Sequence, residues 1–189
     1  MEKTSRVTPA NAPYDEPIKT RLDALMPEGV EPLVLFRTLA RDERLFSRFM
    51  GAGLLDKGHL SLRERELAID RTCARTGCAY EWGVHITFFK EKVSLTDAEV
   101  TALATLSPED GPWSDREALV LKLMDALHDK SRVDEALWAK LSAEFEEMQL
   151  LEFIMLAGFY HTVAYLCNGL DLPLEAYGAP LPQSGSLGN

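Results

Sequence analysis

The sequence predicts an all-α fold, and three observations support that prediction. Apolar residues recur at steps of three and four along most of the chain. No segment shows the strict apolar and polar alternation of a half-buried strand. Three helix starts also carry capping-box signatures, namely Ser61 with Glu64, Thr96 with Glu99, and Ser114 with Glu117. The chain is therefore expected to bury one face of each of several helices in a common core.

The first helices are expected to follow a polar N-terminal segment. Residues 1–17 are polar and rich in Pro, and they predict a flexible N-terminal arm. A short helix comes next. Residues 32–55 then place apolar side chains at helical spacing as far as Gly51 and Gly53. This segment is expected to form one helix.

The later elements are also helical. The three capping signatures each start a helix, and CAYEWGVHITFFKE predicts a helix over residues 78–91. The apolar stretch from Glu147 to Gly169 predicts a long buried helix. Residues 179–189 are rich in Pro, Gly and Ser and predict a flexible tail. A single domain is therefore expected over residues 18–178.

Composition places the chain among ordinary globular proteins. Its 189 residues are 46% hydrophobic, which is enough for one domain with a substantial core. A formal net charge of -10 argues against a nucleic-acid or anionic-membrane partner, because such partners attract clustered Lys and Arg. The first 17 residues lack the apolar centre of a secretion signal. We therefore expect a cytoplasmic protein whose three cysteines are reduced.

Three reactive side chains share one face of the helix predicted over residues 78–91. Steps of three and four residues align Cys78, Glu81 and His85, with Glu81 between the other two. A thiol, a carboxylate and an imidazole in such a row could pass a proton along it. These three residues are the first candidates for a catalytic site.

Glu66 is the fourth candidate, because it falls on the apolar stripe of the preceding helix. The stripe consists of Leu62, Glu66, Ile69 and Cys73, whereas Arg63, Glu64 and Arg65 are expected in solvent. Burial raises the pKa of a carboxylate unless a partner holds its charge. Glu66 is therefore either an acid or base, or the structural partner of an Arg.

The run RERELAI, followed by a helix with CAYEWGVH, resembles the carboxymuconolactone decarboxylase and alkylhydroperoxidase D (AhpD) superfamily. In its peroxidase branch, a Glu precedes a Cys-x-x-Cys pair by twelve residues, and a His follows four residues after the second Cys. Glu66, Cys78 and His85 match three of these positions, and Glu81 replaces the second cysteine. The resemblance covers residues 32–178. It implies roughly seven to eight helices with a helical-hairpin core and a homo-oligomer, either a trimer or hexamer or else a dimer.

The favoured hypothesis is a decarboxylase-like enzyme that needs no cofactor. His85 and one of the two glutamates would act as acid and base on a small carboxylated or lactone substrate, with Cys78 lining the pocket. An alternative is a thiol peroxidase that uses Cys78, with Cys73 or an external thiol to resolve it. A second alternative is a non-catalytic, oligomeric ligand-binding protein.

Two further histidines and a metal site are secondary candidates. His161 has small residues three and four positions before it, and it is a candidate supporting residue for the site, although a core or subunit-contact role is favoured. His128 lies near a helix C-terminus, where a cation is stabilised by the helix dipole. Glu81 and His85, with Glu66 nearby, could ligate a divalent ion. The favoured hypothesis is a site without a metal ion.

Overall fold

A computed structural model describes residues 5–26 and 29–183. These residues form nine α-helices and no β-strand, so the predicted all-α fold is confirmed. The helices are α1 (Glu16–Leu25), α2 (Val34–Leu39), α3 (Glu43–Met50), α4 (Leu62–Arg75), α5 (Ala79–Phe89), α6 (Asp97–Thr105), α7 (Asp115–Lys130), α8 (Glu135–Glu144) and α9 (Glu147–Gly169).

The count exceeds the predicted seven to eight because residues 32–55 form two helices instead of one. α2 ends before Ala40, and α3 starts after Asp42. The Asp42 carboxylate accepts a hydrogen bond from the backbone N–H of Leu45 at 2.8 Å, which satisfies a donor of the first turn. The apolar spacing carries no signal of this break.

α4 is the central helix of the fold. It packs against α5, α6, α7 and α9, and residues 65–73 are all buried. The charged residues Glu66, Asp70 and Arg71 therefore lie inside the protein. Arg71 is neutralised by Asp125 of α7 through two hydrogen bonds of 2.7 and 2.6 Å. A charge in the interior needs such a partner.

All three predicted capping boxes are present at the starts of α4, α6 and α7. All three also join neighbouring helices, because the second oxygen of each capping glutamate binds an arginine, and Arg116 of α7 binds Glu64 at 2.7 Å. Arg63 of α4 binds Glu99 at 2.5 Å and Glu117 at 2.6 Å. The same local signals that start the helices therefore help to fix α4 against α6 and α7.

A tight turn joins α4 to α5. Gly77 has a φ of 63°, a conformation that glycine adopts without strain, and the backbone N–H of Cys78 then donates to the Cys73 carbonyl at 2.9 Å. Cys78 is the N-cap residue of α5. The helix predicted over residues 78–91 is thus shorter at both ends.

The N-terminal residues described by the structure contact the domain. The backbone N–H of Arg6 donates to the Leu170 carbonyl at 2.8 Å, and the backbone N–H of Ala10 donates to the Arg37 carbonyl at 3.0 Å. Residues 1–4 lie outside the described residues. The flexibility expected for the arm stays a prediction.

The C-terminal segment packs along α5. The backbone N–H of Ala179 donates to the Gly83 carbonyl at 3.2 Å, and a Cβ added to Gly83 would lie 3.0 Å from the Ala179 oxygen. Glycine at this position therefore allows a close approach. The Trp82 indole N–H also donates to the Pro180 carbonyl at 3.1 Å. The tail predicted over residues 179–189 is described only as far as residue 183.

α9 runs through the core of the fold. It has 23 residues and, within the described chain, is the one helix long and apolar enough to cross a membrane. Half of its most apolar window is buried inside the protein, and Phe153, Tyr160 and Cys167 point into the core. α9 therefore has the burial of a core helix, and the buried helix predicted from the sequence is confirmed.

Candidate active site

Three helices bring five polar side chains together in the core. α4 supplies Glu66 and Asp70, α5 supplies Glu81 and His85, and α9 supplies Tyr160. The exposed fractions of these residues are 0%, 1%, 8%, 3% and 1%, in the same order. The set is therefore almost fully removed from solvent, and its charges must be balanced within the protein.

His85 is bound through both ring nitrogens. Its Nδ1 lies 2.7 Å from Glu66 Oε2, while its Nε2 lies 3.3 Å from Glu81 Oε1 and 3.2 Å from the Tyr160 hydroxyl. Tyr160 also meets the imidazole edge-on, with ring centroids 5.3 Å apart. These contacts fix the orientation of the ring.

Glu66 is held by Arg65 as well as by His85. The Arg65 guanidinium donates to Glu66 Oε1 through Nε at 3.0 Å and through a terminal nitrogen at 2.8 Å. Its other terminal nitrogen donates to the Leu55 carbonyl at 2.9 Å. The expectation that Arg65 lies in solvent is wrong. It is 8% exposed, because its charge offsets that of the fully buried Glu66.

The surrounding carboxylates keep His85 protonated at neutral pH. Burial alone would lower the pKa of His85, but hydrogen bonds and charge attraction from Glu66 and Glu81 raise it to about 10. Burial raises the pKa of Asp70 well above its ordinary value, and the nearby glutamates add to this effect. Burial therefore favours the neutral form of the Asp70 carboxyl group.

Two cations of the set face its glutamates, because Arg65 binds Glu66 and His85 contacts both Glu66 and Glu81. Among the described residues, two buried carboxyl oxygens have no hydrogen-bond partner: Asp70 Oδ1 and Glu81 Oε2. An unpaired buried oxygen is costly, so both atoms are available to a water molecule or a substrate group.

An aromatic ring borders the imidazole, and two cations lie over that aromatic ring. Phe89 stacks on His85 with ring centroids 5.4 Å apart and an interplanar angle of 22°. Arg65 and Lys92 lie over Phe89, with Arg65 Cζ 5.4 Å and Lys92 Nζ 4.9 Å from the ring centroid. The set is therefore flanked by positive charge on the Phe89 side.

Comparison with known proteins gives a family match over part of the chain. Residues 43–126 match the model of the carboxymuconolactone decarboxylase family, a span that contains Glu66, Asp70, Cys78, Glu81 and His85. The match covers less than half of the sequence, and over these residues the chain is similar to that family. No curated protein matches the sequence.

Solved structures of low sequence identity share the fold. An uncharacterized peroxidase-related protein with an alkylhydroperoxidase AhpD core, from Ralstonia eutropha, superposes with a TM-score of 0.81 at 18% identity, covering 93% of this chain and 95% of that one. A peroxidase-related protein from Silicibacter sp. gives 0.75 at 17% identity, with 88% of each chain covered. The debrominase Bmp8, in complex with 2,3,4-tribromopyrrole, gives 0.68 at 16% identity, covering 90% of this chain and 92% of that one. At these identities the likeness shows the fold alone.

The three cysteines are all buried and free. Cys78 lies at the start of α5, near the backbone N–H groups of Tyr80 and Glu81, and its thiol interacts with that of Cys167. A hydrogen bond from Cys167 lowers the pKa of Cys78 despite burial and the neighbouring Glu81. Burial raises the pKa of Cys73 well above its ordinary value.

His161 lies outside the contacts that hold His85. Its Nε2 is 3.1 Å from His128 Nδ1, and its own Nδ1 is 2.7 Å from the Ala157 carbonyl oxygen. The preceding residue, Tyr160, makes the contact with His85 instead. His128 lies in the last turn of α7, as expected for a residue near a helix C-terminus.

The residues that could hold a metal in the described chain are Glu66, Asp70 and His85, whose ligand atoms lie within 4.8 Å of one another. A cation there would have to displace the proton of an imidazole that two carboxylates stabilise. It would also meet the Arg65 guanidinium bound to Glu66. The arrangement favours a proton over a metal ion.

Sequence reasoning missed Asp70, Tyr160 and the burial of Arg65. Asp70 follows Glu66 by four residues, so helical spacing already placed the two carboxylates on one face. Tyr160 is 75 residues from His85 along the chain, and nothing local marks it as a partner.

Proposed function

We propose that this protein is a cofactor-independent enzyme of the decarboxylase-like lyase class, which transfers a proton from His85 to its substrate. One observation carries the proposal: a buried imidazole is held at both nitrogens by carboxylates that keep it charged at neutral pH. A positioned imidazolium is a general acid. The family whose model matches residues 43–126 is named for carboxymuconolactone decarboxylase, which supports this class.

Glu81 is the second proton carrier in this proposal, and Glu66 positions His85. Both oxygens of Glu66 are engaged, one with Arg65 and one with His85. Glu81 has one oxygen facing His85 Nε2 and a second oxygen without a partner. It is also the most exposed of the carboxylates in the set, at 8%. Glu81 can therefore accept a proton from a substrate or return one from solvent to His85.

The proposed substrate is a small carboxylated lactone. When its carboxylate leaves as carbon dioxide, the carbon left behind carries an electron pair, and His85 donates a proton to it. Two features support recognition of an anion: Arg65 and Lys92 lie over Phe89, which stacks on His85, and His85 itself is held in its charged form. Positive charge at the site attracts a carboxylate.

A panel of carboxylated lactones in deuterated water tests this function. The wild-type protein should release carbon dioxide and place deuterium at the carbon that lost it. The His85→Gln variant should do neither, whereas His128→Gln should match the wild type because His128 lies outside the site. Absence of both signals in the wild type would contradict the proposal. Equal activity in His85→Gln would also contradict it.

The same panel of lactones distinguishes the proposed enzyme from the non-catalytic alternative. A ligand-binding protein would convert no member of the panel, and changes at Glu66, Glu81 and His85 would only lower its melting temperature. Thiol peroxidase chemistry is a second candidate, favoured by the lowered pKa of Cys78. Because Glu81 occupies the position of the second cysteine, Cys73 or an external thiol would have to resolve the oxidised Cys78.

We also propose that the protein forms a homo-oligomer. Exposed apolar residues lie along α9, among them Leu151, Met155 and Tyr165. Apolar patches of this kind mark contact surfaces in folded proteins. Light scattering during size-exclusion chromatography should give a mass above that of one chain, and Met155→Glu should reduce it. A monomeric mass for the wild type at micromolar concentration would contradict this proposal.

A further inference from the structure

Two histidines outside the candidate active site face each other where α7 and α9 pack together. His128 lies in the last turn of α7, and His161 lies in α9. His128 Nδ1 and His161 Nε2 are 3.1 Å apart, and the two ring centroids are 5.3 Å apart. The proposed proton transfer uses neither ring.

The Ala157 carbonyl fixes the tautomer of His161. His161 Nδ1 lies 2.7 Å from that oxygen, and because a carbonyl can only accept, the proton of the neutral ring is on Nδ1. His161 Nε2 therefore presents a lone pair to His128. Metal-binding histidines have this form, in which the second ring nitrogen donates to a carbonyl and so orients the ring.

The distance between the two facing nitrogens suits a shared metal ion. In a tetrahedral zinc site each imidazole nitrogen lies about 2.0–2.1 Å from the metal, which places two such nitrogens roughly 3.3 Å apart. The 3.1 Å between His128 Nδ1 and His161 Nε2 is close to this separation. An ion would take the place of the proton that His128 donates to His161, and that proton would move to His128 Nε2.

A small ion can reach the two rings. Both imidazoles are half-buried and line a cavity of about 330 Å³. Gly158, three residues before His161, lines the same cavity, and a Cβ added there would have no neighbour within 4 Å. The absence of a side chain at this position keeps the cavity open beside His161.

The charges around His128 are compatible with a bound cation. Burial, the Arg75 guanidinium and His161 lower the pKa of His128, which favours the neutral imidazole that a metal requires. Arg75 itself is paired with Asp129 at 2.5 Å and lies 3.5 Å from Asp125. These carboxylates offset the positive charge that would otherwise repel a metal ion.

We propose that His128 and His161 form a two-histidine site for a divalent transition-metal ion of the kind that imidazole binds, with Zn²⁺ as the probe. The ligand atoms are His128 Nδ1 and His161 Nε2, and water completes the coordination. The group of Glu66, Asp70 and His85 offers three ligand atoms but favours a proton, whereas this pair offers two neutral nitrogens. The site does not rest on the proposed lyase function.

Isothermal titration of the untagged protein with Zn²⁺ tests the site. Loss of even an outer partner weakens metal binding by about 10- to 100-fold, so His128→Gln and His161→Gln should each weaken zinc binding at least tenfold. His59→Gln is the matched control, because His59 is an exposed histidine, and it should bind zinc as the wild type does. Wild-type affinity in both His128→Gln and His161→Gln would overturn the proposal. A wild-type protein that binds no zinc at millimolar concentration would also overturn it.

Nuclear magnetic resonance of the wild type, with ¹⁵N-labelled histidine, needs no substituted chain to fold. Zinc should shift the ring resonances of His128 and His161 and leave those of His59 and His85 in place. A shift confined to His85 would put the ion in the acidic set and overturn the assignment. Lactone assays that contain a chelator keep the pair free of metal, so His128→Gln remains a control there. A failed lactone assay would leave the zinc result unchanged.

Discussion

Two histidine clusters in the same helical bundle have opposite electrostatics. His85 is buried between two glutamates, and their negative charge raises its pKa to about 10. His128 is half-buried beside His161, and burial, the Arg75 guanidinium and His161 lower its pKa. At neutral pH His85 therefore holds its proton, whereas the protonated form of His128 is disfavoured.

The difference shows that neighbouring charge outweighs burial at His85. Burial disfavours the charged form of both rings, and it does so more strongly at the deeper site. The carboxylates of Glu66 and Glu81 reverse the result at His85. No carboxylate makes a direct contact of this kind among the described hydrogen bonds of the His128 ring. The two glutamates of the first cluster therefore stabilise a protonated imidazole in the protein interior.

Replacing the histidine in each cluster should give the largest contrast. His85→Gln should lower the rate of lactone decarboxylation by about 10²- to 10⁴-fold, because general acids contribute rate factors of that order. His128→Gln should leave the rate unchanged. Initial rates of carbon dioxide release measure both. Equal losses in the two variants would remove the distinction between the clusters.

Removing the carboxylate behind His85 should shift its titration. Glu66→Gln keeps a hydrogen-bond acceptor but removes the charge, so the alkaline limb of kcat/KM should move from near pH 10 towards about 6.5, the ordinary value for histidine. Glu64→Gln on the same helix is the matched control, since Glu64 pairs with Arg116 away from the site. If the alkaline limb of kcat/KM does not move in Glu66→Gln, Glu66 does not set the pKa of His85.

The raised pKa also predicts a pH dependence of stability. A group with a raised folded pKa contributes stability that is complete below its unfolded pKa, near 6.5, and is lost as the pH rises through about 10. The advantage of wild type over His85→Gln in free energy of unfolding should therefore fall by about 1 kcal/mol or more between these pH values. Urea titrations at several pH values measure it. A constant difference would mean that His85 is neutral in the folded state.

The Tyr160 hydroxyl should have the smallest effect of the site contacts. Tyr160→Phe removes one hydrogen bond to His85 Nε2, and a single such bond corresponds to a rate change of about 2- to 10-fold. Tyr165→Phe is the matched control, because Tyr165 is exposed on the same helix. A loss comparable to that of His85→Gln would make Tyr160 a proton donor in its own right.

Local signals in the sequence predicted much of the fold. Capping pairs such as Ser61 and Glu64, and the apolar spacing of residues 147–169, depend on contacts within one helix, so they can be read without knowing the fold. The break between α2 and α3 was missed because Asp42 interrupts the helix without disturbing the apolar spacing.

The candidate site was predicted only where its members are close along the chain. The structure brings together Glu66, Glu81 and His85, and helical spacing had aligned two of these. Tyr160 comes from another helix through tertiary packing, for which the sequence offers no local rule. Arg65 was wrongly predicted to lie in solvent. A charged residue next to a buried Glu cannot be distinguished from a solvated residue until its partner is known.

The protonation state of His85 is the central claim, and nuclear magnetic resonance of ¹⁵N-labelled histidine measures it directly. The His85 ring, assigned by comparison with His85→Gln, should show imidazolium shifts at about pH 8 and titrate near 10, while His128 titrates below about 6.5. A His85 ring that is neutral at about pH 8 would contradict the account.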